Sequence, residues 1–319
     1  MTPQMTTQSQ QDSQTSMHSL RGKVSQVLSQ LEQVLLGKPE QIKLALACIL
    51  ARGHLLIEDL PGMGKTSLSQ ALANTLGMSY QRIQFTSDML PADILGVSIF
   101  DKAKNQFVFH KGPVFNQMLL ADEINRASPK TQSALLEAMA EQQITLDGVT
   151  HALPVPFFVV ATQNPTEQSG TFPLPESQLD RFMMRISLGY PSHDAQLNML
   201  KGQALKTQDL RPCISPDELQ MLQSEVRKVS ASDALLNYLI ALVDYSRQHA
   251  DAAGLSPRAS LALLQAAKAW AYIDERHYLL PEDIQAVFSA VAEHRIRTSH
   301  LAVGQTLADI ILASVNPIS

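Results

Sequence analysis

Apolar positions change their spacing near residue 190, and this change divides the chain into two parts. Before residue 190, short apolar runs alternate with segments of helical spacing. The runs predict strands at Leu55–Ile57, Tyr80–Phe85, Met118–Ala121, Phe157–Thr162 and Phe182–Leu188. Strands that alternate with helices are typical of a parallel sheet with helices on both faces. The expected fold class is therefore α/β, with a parallel five-stranded sheet between helices.

Helical spacing precedes the first strand and returns after the last one. Residues 20–35 and 40–51 predict two helices, and residues 65–76, a stretch before Met118 and residues 129–141 predict helices between strands. After Tyr190-Pro191 only helices are predicted, at about 194–205, 216–229, 232–249, 257–273, 281–294 and 306–314. We therefore expect an α/β domain over residues 20–191 and an all-helical domain over 192–319. Residues 1–19, rich in Gln, Ser and Thr, are expected to be disordered.

Two segments of the α/β part predict β-hairpin insertions. Residues 98–110 contain two short strand patterns around Lys102-Ala103-Lys104-Asn105. Residues 143–154 contain a second pair around Asp147-Gly148, which is a favourable two-residue hairpin turn. No client-binding residue is assigned to either hairpin.

The composition of the chain disfavours secreted, membrane-spanning and nucleic-acid-binding classes of protein. The 319 residues carry a formal net charge of −5 and include only two cysteines. No apolar run approaches the roughly 18 residues that span a bilayer, and the N-terminus does not resemble a secretory signal. We therefore expect a cytoplasmic protein. The acidic balance disfavours nucleic acid as a partner, although a ring could hold basic residues in its pore. No zinc-binding or serine-hydrolase motif is present.

The sharpest motif runs from Glu58 to Thr66, between a predicted strand and a predicted helix. Its glycines, Gly62 and Gly64, allow a tight turn that brings backbone N–H groups against phosphate oxygens. The helix that follows adds the partial positive charge of its N-terminus. Lys65 can reach the β- and γ-phosphates, and the Thr66 hydroxyl can ligate Mg²⁺. The motif predicts a P-loop, with Asp59 where the general pattern has Gly.

A second motif, Asp122-Glu123, ends the apolar strand that begins at Met118. At this place Asp122 can hold Mg²⁺ through water, and Glu123 can polarise an attacking water as the catalytic base. Together with the P-loop it indicates hydrolysis of ATP rather than transfer of its phosphate to an acceptor.

From about Val34 to its end, the chain resembles the MoxR family of AAA+ ATPases. The resemblance rests on segments that occur in the family's order, and the Glu-Asp pair before Pro61-Gly62 is itself typical of the family. These segments are residues 53–56, 58–66, 85–96, 112–115, 121–127, 161–165, 174–182 and 256–259. The resemblance implies a P-loop domain of the AAA+ type with β-hairpin insertions, followed by an all-α lid domain.

The resemblance also implies roles for individual residues. Asn164 matches sensor one, which contacts the γ-phosphate or the attacking water. Arg181 matches the arginine finger, which reaches the nucleotide of a neighbouring subunit, and Arg258 matches sensor two. Arg258 also lies in a predicted first helical turn, where the helix dipole disfavours a cation, and such a locally unfavourable residue is typical of a functional site. The residues expected around ATP are Pro61, Gly62, Met63, Gly64, Lys65, Thr66 and Ser67, with Gly37 near the adenine.

The function implied is that of a ring ATPase, expected to be a homo-hexamer, which remodels, assembles or activates a protein client. Relatives act in a chaperone-like way, often with a partner that carries a von Willebrand factor A domain and is sometimes membrane-anchored. Two alternatives stay open. One is a nucleic-acid-dependent motor, and the other is a nucleotide-gated assembly scaffold that hydrolyses ATP slowly.

Overall fold

A computed structural model describes residues 20–165, 170–248, 254–296 and 306–317. The expected disordered arm, residues 1–19, lies outside the described residues. In the first part of the chain, five parallel strands form one sheet in the order β2-β5-β8-β1-β9. The strands are β1 (Leu55–Glu58), β2 (Tyr80–Gln84), β5 (Met118–Asp122), β8 (Phe158–Gln163) and β9 (Met184–Ile186). The predicted parallel five-stranded sheet is confirmed.

Alternate residues of the central strands enter two different apolar cores. On β5, Met118 and Leu120 pack into one core, whereas Leu119 and Ala121 pack into the other. Every residue of β8 is buried. A strand covered on both faces has no polar side, which is why β5 and β8 each begin with four consecutive apolar residues. The sheet is thus the middle layer of three.

Helices supply the two outer layers. One core also includes α1 (residues 20–34), α2 (Pro39–Leu50) and α3 (Lys65–Thr75), and the other includes α4 (Pro91–Leu95) and α5 (Pro129–Glu141). A short helix α6 (Glu176–Leu179) precedes β9. The following helices are α7 (His193–Leu200), α8 (Pro216–Arg227), α9 (Asp233–Gln248), α10 (Pro257–Ile273), α11 (Pro281–Ala292) and α12 (Leu307–Ser314). The apolar sides of α8 to α12 pack into the first core.

Both expected hairpins are present. Strands β3 (Gly96–Asp101) and β4 (Gln106–Lys111) pair antiparallel, as do β6 (Gln143–Leu146) and β7 (Val149–Ala152). The first hairpin exposes two aromatic rings that sequence reasoning did not single out: Phe100 and Phe107 lie with their ring centroids 5.3 Å apart. Across a strand pair such a ring contact stabilises the pairing itself.

Some boundaries differ from the predictions. The last strand is predicted at Phe182–Leu188 but is only three residues long, because Phe182 and Met183 belong to the turn that leads into it. The helical stretch expected before Met118 is reduced to α4 and a single turn at Pro113–Phe115, since the β3–β4 hairpin interrupts it.

Candidate active site

The loop between β1 and α3 has the backbone conformation that its two glycines permit. Gly62 and Gly64 have φ of +81° and +92°, and Gly64 directly precedes α3. A Cβ on either glycine would meet no heavy atom within 4 Å, so backbone conformation rather than crowding calls for glycine here. The loop ends at a helix N-terminus, whose unpaired N–H groups favour an anion.

The side chain of Lys65 lies back over this loop. Its Nζ donates a hydrogen bond to the backbone oxygen of Asp59 at 2.6 Å. Burial lowers the pKa of Lys65, and the nearby carboxylates of Asp122, Asp59 and Glu123 offset part of that effect. The ammonium is therefore held between the loop and the acidic pair, where a phosphate oxygen can reach it.

Asp59 joins the loop to the segment that follows β9. Its Oδ2 accepts hydrogen bonds from the N–H groups of Leu188 and Gly189, each at 2.7 Å, and from the Ser187 hydroxyl at 3.1 Å. Its Oδ1 accepts the N–H of Leu60 at 2.8 Å. Burial alone would raise the pKa of Asp59, but these hydrogen bonds outweigh it and lower the pKa. The carboxylate is thus held ionised by four donors.

The acidic pair lies at the carboxyl end of β5, and its two members have different partners. Asp122 is almost buried, and its Oδ1 accepts the Thr162 hydroxyl at 2.6 Å. Glu123 has a left-handed backbone with φ of +55°, and its N–H donates to the same Thr162 oxygen at 2.9 Å. The Glu123 carboxylate instead contacts the Nε of Arg126 at 2.8 Å. The left-handed turn at Glu123 therefore gives the two carboxylates different bonding partners.

Two residues of β2 contact this acidic pair and were missed from the sequence. Arg82 donates to Asp122 Oδ2 through Nε at 3.1 Å and through Nη2 at 2.7 Å. Gln84 donates from its Nε2 to Glu123 Oε2 at 2.7 Å. Arg82 and Gln84 alternate with a buried residue, Ile83, so the pattern marks a strand with one polar face. That alternation is the only sequence signal that could have found them.

These groups surround one cleft of about 360 Å³ at the carboxyl edge of the sheet. Asn164, which directly follows β8 and is almost buried, lines it as well. We call it the carboxyl-edge cleft, and it is lined by Pro61, Gly62, Gly64, Lys65, Thr66, Ser67, Arg82, Gln84, Asp122, Glu123 and Asn164. The residues assigned to the P-loop, the acidic pair and sensor one thus meet in one place.

The donor set of this cleft fits Mg²⁺ held together with a phosphate ligand. Thr66 offers a hydroxyl and Asp122 a carboxylate, and hard oxygen ligands of this kind suit Mg²⁺. Among the described residues, no group of three or more His, Cys, Asp or Glu could hold a metal ion by itself. Mg²⁺ commonly takes one or two protein oxygens and completes its shell with phosphate and water.

Two of the residues expected around ATP lie outside the lining of this cleft. The Met63 side chain packs against the first apolar core. Gly37 has a φ of +73°, and a Cβ there would come within 2.8 Å of the Ala195 Cβ at the start of α7. Gly37 therefore lets the turn after α1 pack closely against the helical part.

Arg181 and Arg258 lie in a second cleft, of about 260 Å³, at the opposite edge of the sheet. The lining includes Gly53 and His54, which precede β1, whereas the P-loop follows β1. The four residues of β1 span about 13 Å. We call this the amino-edge cleft, and it is lined by Arg52, Gly53, His54, Met139, Ala140, Gln142, Asp180, Arg181, Met183, Arg258, Leu261, Ala262, Gln265 and Arg295.

The lining of the amino-edge cleft includes four arginines, Arg52, Arg181, Arg258 and Arg295, and one carboxylate, Asp180. Arg295 is buried and its Nε donates to Asp180 Oδ1 at 2.7 Å, while burial lowers the pKa of Arg295. Arg181 donates from Nη1 to the backbone oxygen of Leu136 at 2.8 Å. Arg258 lies in the first turn of α10, whose cap is the Ser256 hydroxyl. The cleft therefore combines an excess of positive charge with a helix N-terminus, which favours an anionic ligand.

Both parts of the chain match known protein families. Residues 54–184 match the ATPase family associated with various cellular activities (AAA), and residues 245–313 match the AAA lid domain. Chaperone MoxR1 of Mycobacterium tuberculosis is 34% identical over 91% of this chain and 79% of its own length. The chain belongs to the MoxR family of AAA+ ATPases.

Two further proteins are similar to this chain over most of its length. A Bacillus subtilis protein named YeaC is 46% identical over 89% of this chain and 88% of its own. The crystal structure of a candidate ATPase from Cytophaga hutchinsonii is 37% identical, covers 96% of this chain and 98% of that one, and superposes with a TM-score of 0.85. As in other AAA+ ATPases, a sheet domain is followed by a helical lid. None of the described helices is long and apolar enough to cross a bilayer.

Proposed function

We propose that this MoxR-type protein hydrolyses ATP with Mg²⁺ in a ring oligomer and uses the hydrolysis to remodel a protein client. The observation that carries the proposal is the division of the expected catalytic groups between two clefts. The carboxyl-edge cleft holds the P-loop, the acidic pair and Asn164. The amino-edge cleft holds Arg181 and Arg258. Within one chain the two sets are separated by the sheet.

The residues of the carboxyl-edge cleft divide the work of binding. The loop from Pro61 to Gly64 and the N-terminus of α3 hold the phosphates, and Lys65 adds a positive charge. Thr66 and Asp122 are the residues that would hold Mg²⁺. When bound, Mg²⁺ neutralises charge on the β- and γ-phosphate oxygens.

Hydrolysis needs a positioned water and a group that takes its proton. Glu123 lies at the rim of the cleft, where Gln84 and Arg126 restrain its carboxylate. In this position it serves as general base, a role worth about 10² to 10⁴ in rate. Asn164 directly follows the neighbouring strand and can donate to the γ-phosphate or to the water.

Arg181 and Arg258 act in trans in this proposal. In a ring with head-to-tail contacts, one face of each subunit meets a different face of the next. The amino-edge cleft of one subunit can then cover the nucleotide of its neighbour and stabilise the charge that develops in the transition state. An arginine supplied in this way can be worth about 10³ to 10⁵ in rate.

The proposed oligomer and its partners are inferred from membership of the MoxR family. We propose a homo-hexamer in the cytoplasm, where both cysteines would stay free as they are here. The client is a protein, since a relative is named a chaperone. A von Willebrand factor A domain protein, itself soluble or membrane-anchored, is the proposed partner. The net charge of −5 favours a protein client over nucleic acid.

The rate of phosphate release from ATP in the presence of Mg²⁺ tests the catalytic part of the proposal. Glu123→Gln should lower turnover by about a hundredfold or more while ATP still binds. Lys65→Ala should lose tight ATP binding. Glu282→Gln, an exposed carboxylate at the start of α11, is the matched control and should turn over like the wild type. Wild-type turnover by Glu123→Gln would show that Glu123 is not the base.

A further inference from the structure

Arg82 covers the one open side of a nearly buried carboxylate. The Asp122 side chain is 11% exposed and that of Arg82 is 48% exposed. Asp122 Oδ1 is taken by the Thr162 hydroxyl, and both Arg82 hydrogen bonds go to Oδ2. The guanidinium thus lies at the solvent side of Asp122, within the carboxyl-edge cleft.

The same guanidinium is also connected to Glu123, the proposed base, through hydrogen bonds made by Gln84. Arg82 Nη2, which contacts Asp122, also donates to Gln84 Oε1 at 3.0 Å. Gln84 Nε2 donates to Glu123 Oε2 at 2.7 Å. Two side chains of β2 therefore join the proposed metal ligand to the proposed base. The backbone register, with Gln84 opposite Asp122, holds them in this arrangement.

We propose that Arg82 is a positioning residue that competes with Mg²⁺ for Asp122 and, through Gln84, couples metal loading to the orientation of Glu123. This inference rests on the proposed function, in which Asp122 holds Mg²⁺. A guanidinium and a divalent cation on one carboxylate repel each other, so Arg82 must move away when the metal is loaded. Its exposure allows that movement. The side-chain oxygen of Gln84 then loses the hydrogen bond from Arg82. The hydrogen bond from Gln84 to Glu123 changes as a result.

Two other roles for Arg82 make different predictions. If Arg82 binds a phosphate directly, its removal weakens nucleotide binding with and without Mg²⁺. If it only holds the edge strand β2 in place, its removal lowers the melting temperature but leaves the Mg²⁺ requirement unchanged. The requirement for Mg²⁺ in nucleotide binding therefore separates competition from both of these roles.

The test is an equilibrium titration of Mg²⁺ against the full-length protein with a fluorescent, non-hydrolysable ATP analogue. Exposed ion pairs are worth up to about 1 kcal/mol, so Arg82→Met should lower the Mg²⁺ concentration at half-maximal binding by about two- to five-fold. Arg82→Lys, which retains the charge, should shift it less. Arg247→Met, an exposed arginine paired with Asp244 on α9 outside this cleft, is the control and should match the wild type.

Gln84→Leu separates the two halves of the inference. It leaves the Asp122 contact in place, so the Mg²⁺ midpoint should stay at the wild-type value while the turnover number at saturating Mg²⁺ changes. An unchanged or higher midpoint in Arg82→Met, or an equal shift in Gln84→Leu, would overturn the inference. If the wild type fails to bind the analogue with Mg²⁺, the proposed function fails instead. Melting temperatures verify that each variant is folded.

Discussion

The buried carboxylate of Asp59 accepts a hydrogen bond from the backbone N–H of Gly189 at 2.7 Å. A P-loop residue is thereby bonded to the segment that leads from β9 into α7. The N–H of Leu188 donates to the same oxygen. These hydrogen bonds tie the P-loop to the segment that precedes the helical part.

Replacement of Asp59 by Asn should destabilise the protein. Both carboxylate oxygens accept N–H donors, so the amide NH₂ must face donors on one side and leave them unpaired. We expect a loss of about 1 to 3 kcal/mol in the free energy of unfolding, measured by urea denaturation. The control is Asp147→Asn, at the exposed turn of the β6–β7 hairpin. Equal losses in the two variants would contradict the role of the Asp59 contacts.

His54 should make the protein sensitive to mild acid. Its Nδ1 accepts the N–H of Val159 at 3.0 Å, and burial lowers the pKa of His54 to about 4 from the ordinary 6.5. Between these values the unfolded chain binds a proton that the folded protein does not. Stability therefore falls as the pH drops from 6.5 to 4, by about 3 kcal/mol in total from this residue.

The measurement for His54 is urea unfolding at pH 7 and pH 5. His54→Gln lacks the titrating ring, so its stability should fall less between the two pH values than that of the wild type. His193→Gln is the control, because His193 is highly exposed and should leave the pH dependence unchanged. An identical pH dependence in His54→Gln and the wild type would refute the assignment.

Two arginines of the amino-edge cleft should behave in opposite ways. Arg295 is buried and paired with Asp180, so Arg295→Met leaves a carboxylate without its ion pair and should cost about 3 kcal/mol of stability. Arg258→Ala should leave the unfolding midpoint nearly unchanged and lower the turnover number at saturating ATP. Thermal unfolding and phosphate release, measured on both variants, check this. A large loss of stability in Arg258→Ala would mean that Arg258 serves the fold.

The central strands and the P-loop could be predicted because their signals are local. Strand β5, predicted at Met118–Ala121, runs to Asp122, and its four apolar residues form the continuous run that is typical of a strand buried on both faces. The P-loop followed from residue type and from its place between a strand and a helix. Edge strand β9, with only three residues, has a weaker pattern, and its predicted bounds were too wide.

The contacts of Arg82 could not be predicted, because they depend on which strands are neighbours. Tyr80 pairs with Met118 across nearly forty residues of chain, and only this register brings Arg82 beside Asp122. The grouping of Arg181 with Arg258 in one cleft likewise depends on how α10 packs near the end of α5. A local sequence pattern does not show which distant segments of the chain lie side by side.

The most direct test of the central claim mixes two inactive variants. Lys65→Ala subunits lack a working carboxyl-edge cleft but keep Arg181, and Arg181→Ala subunits have the reverse defect. If Arg181 acts on a neighbour's nucleotide, phosphate release should rise above that of either variant alone and reach its maximum at intermediate ratios. A mixture that never exceeds the sum of its parts, although the two variants co-assemble by pull-down, would contradict catalysis across a subunit interface.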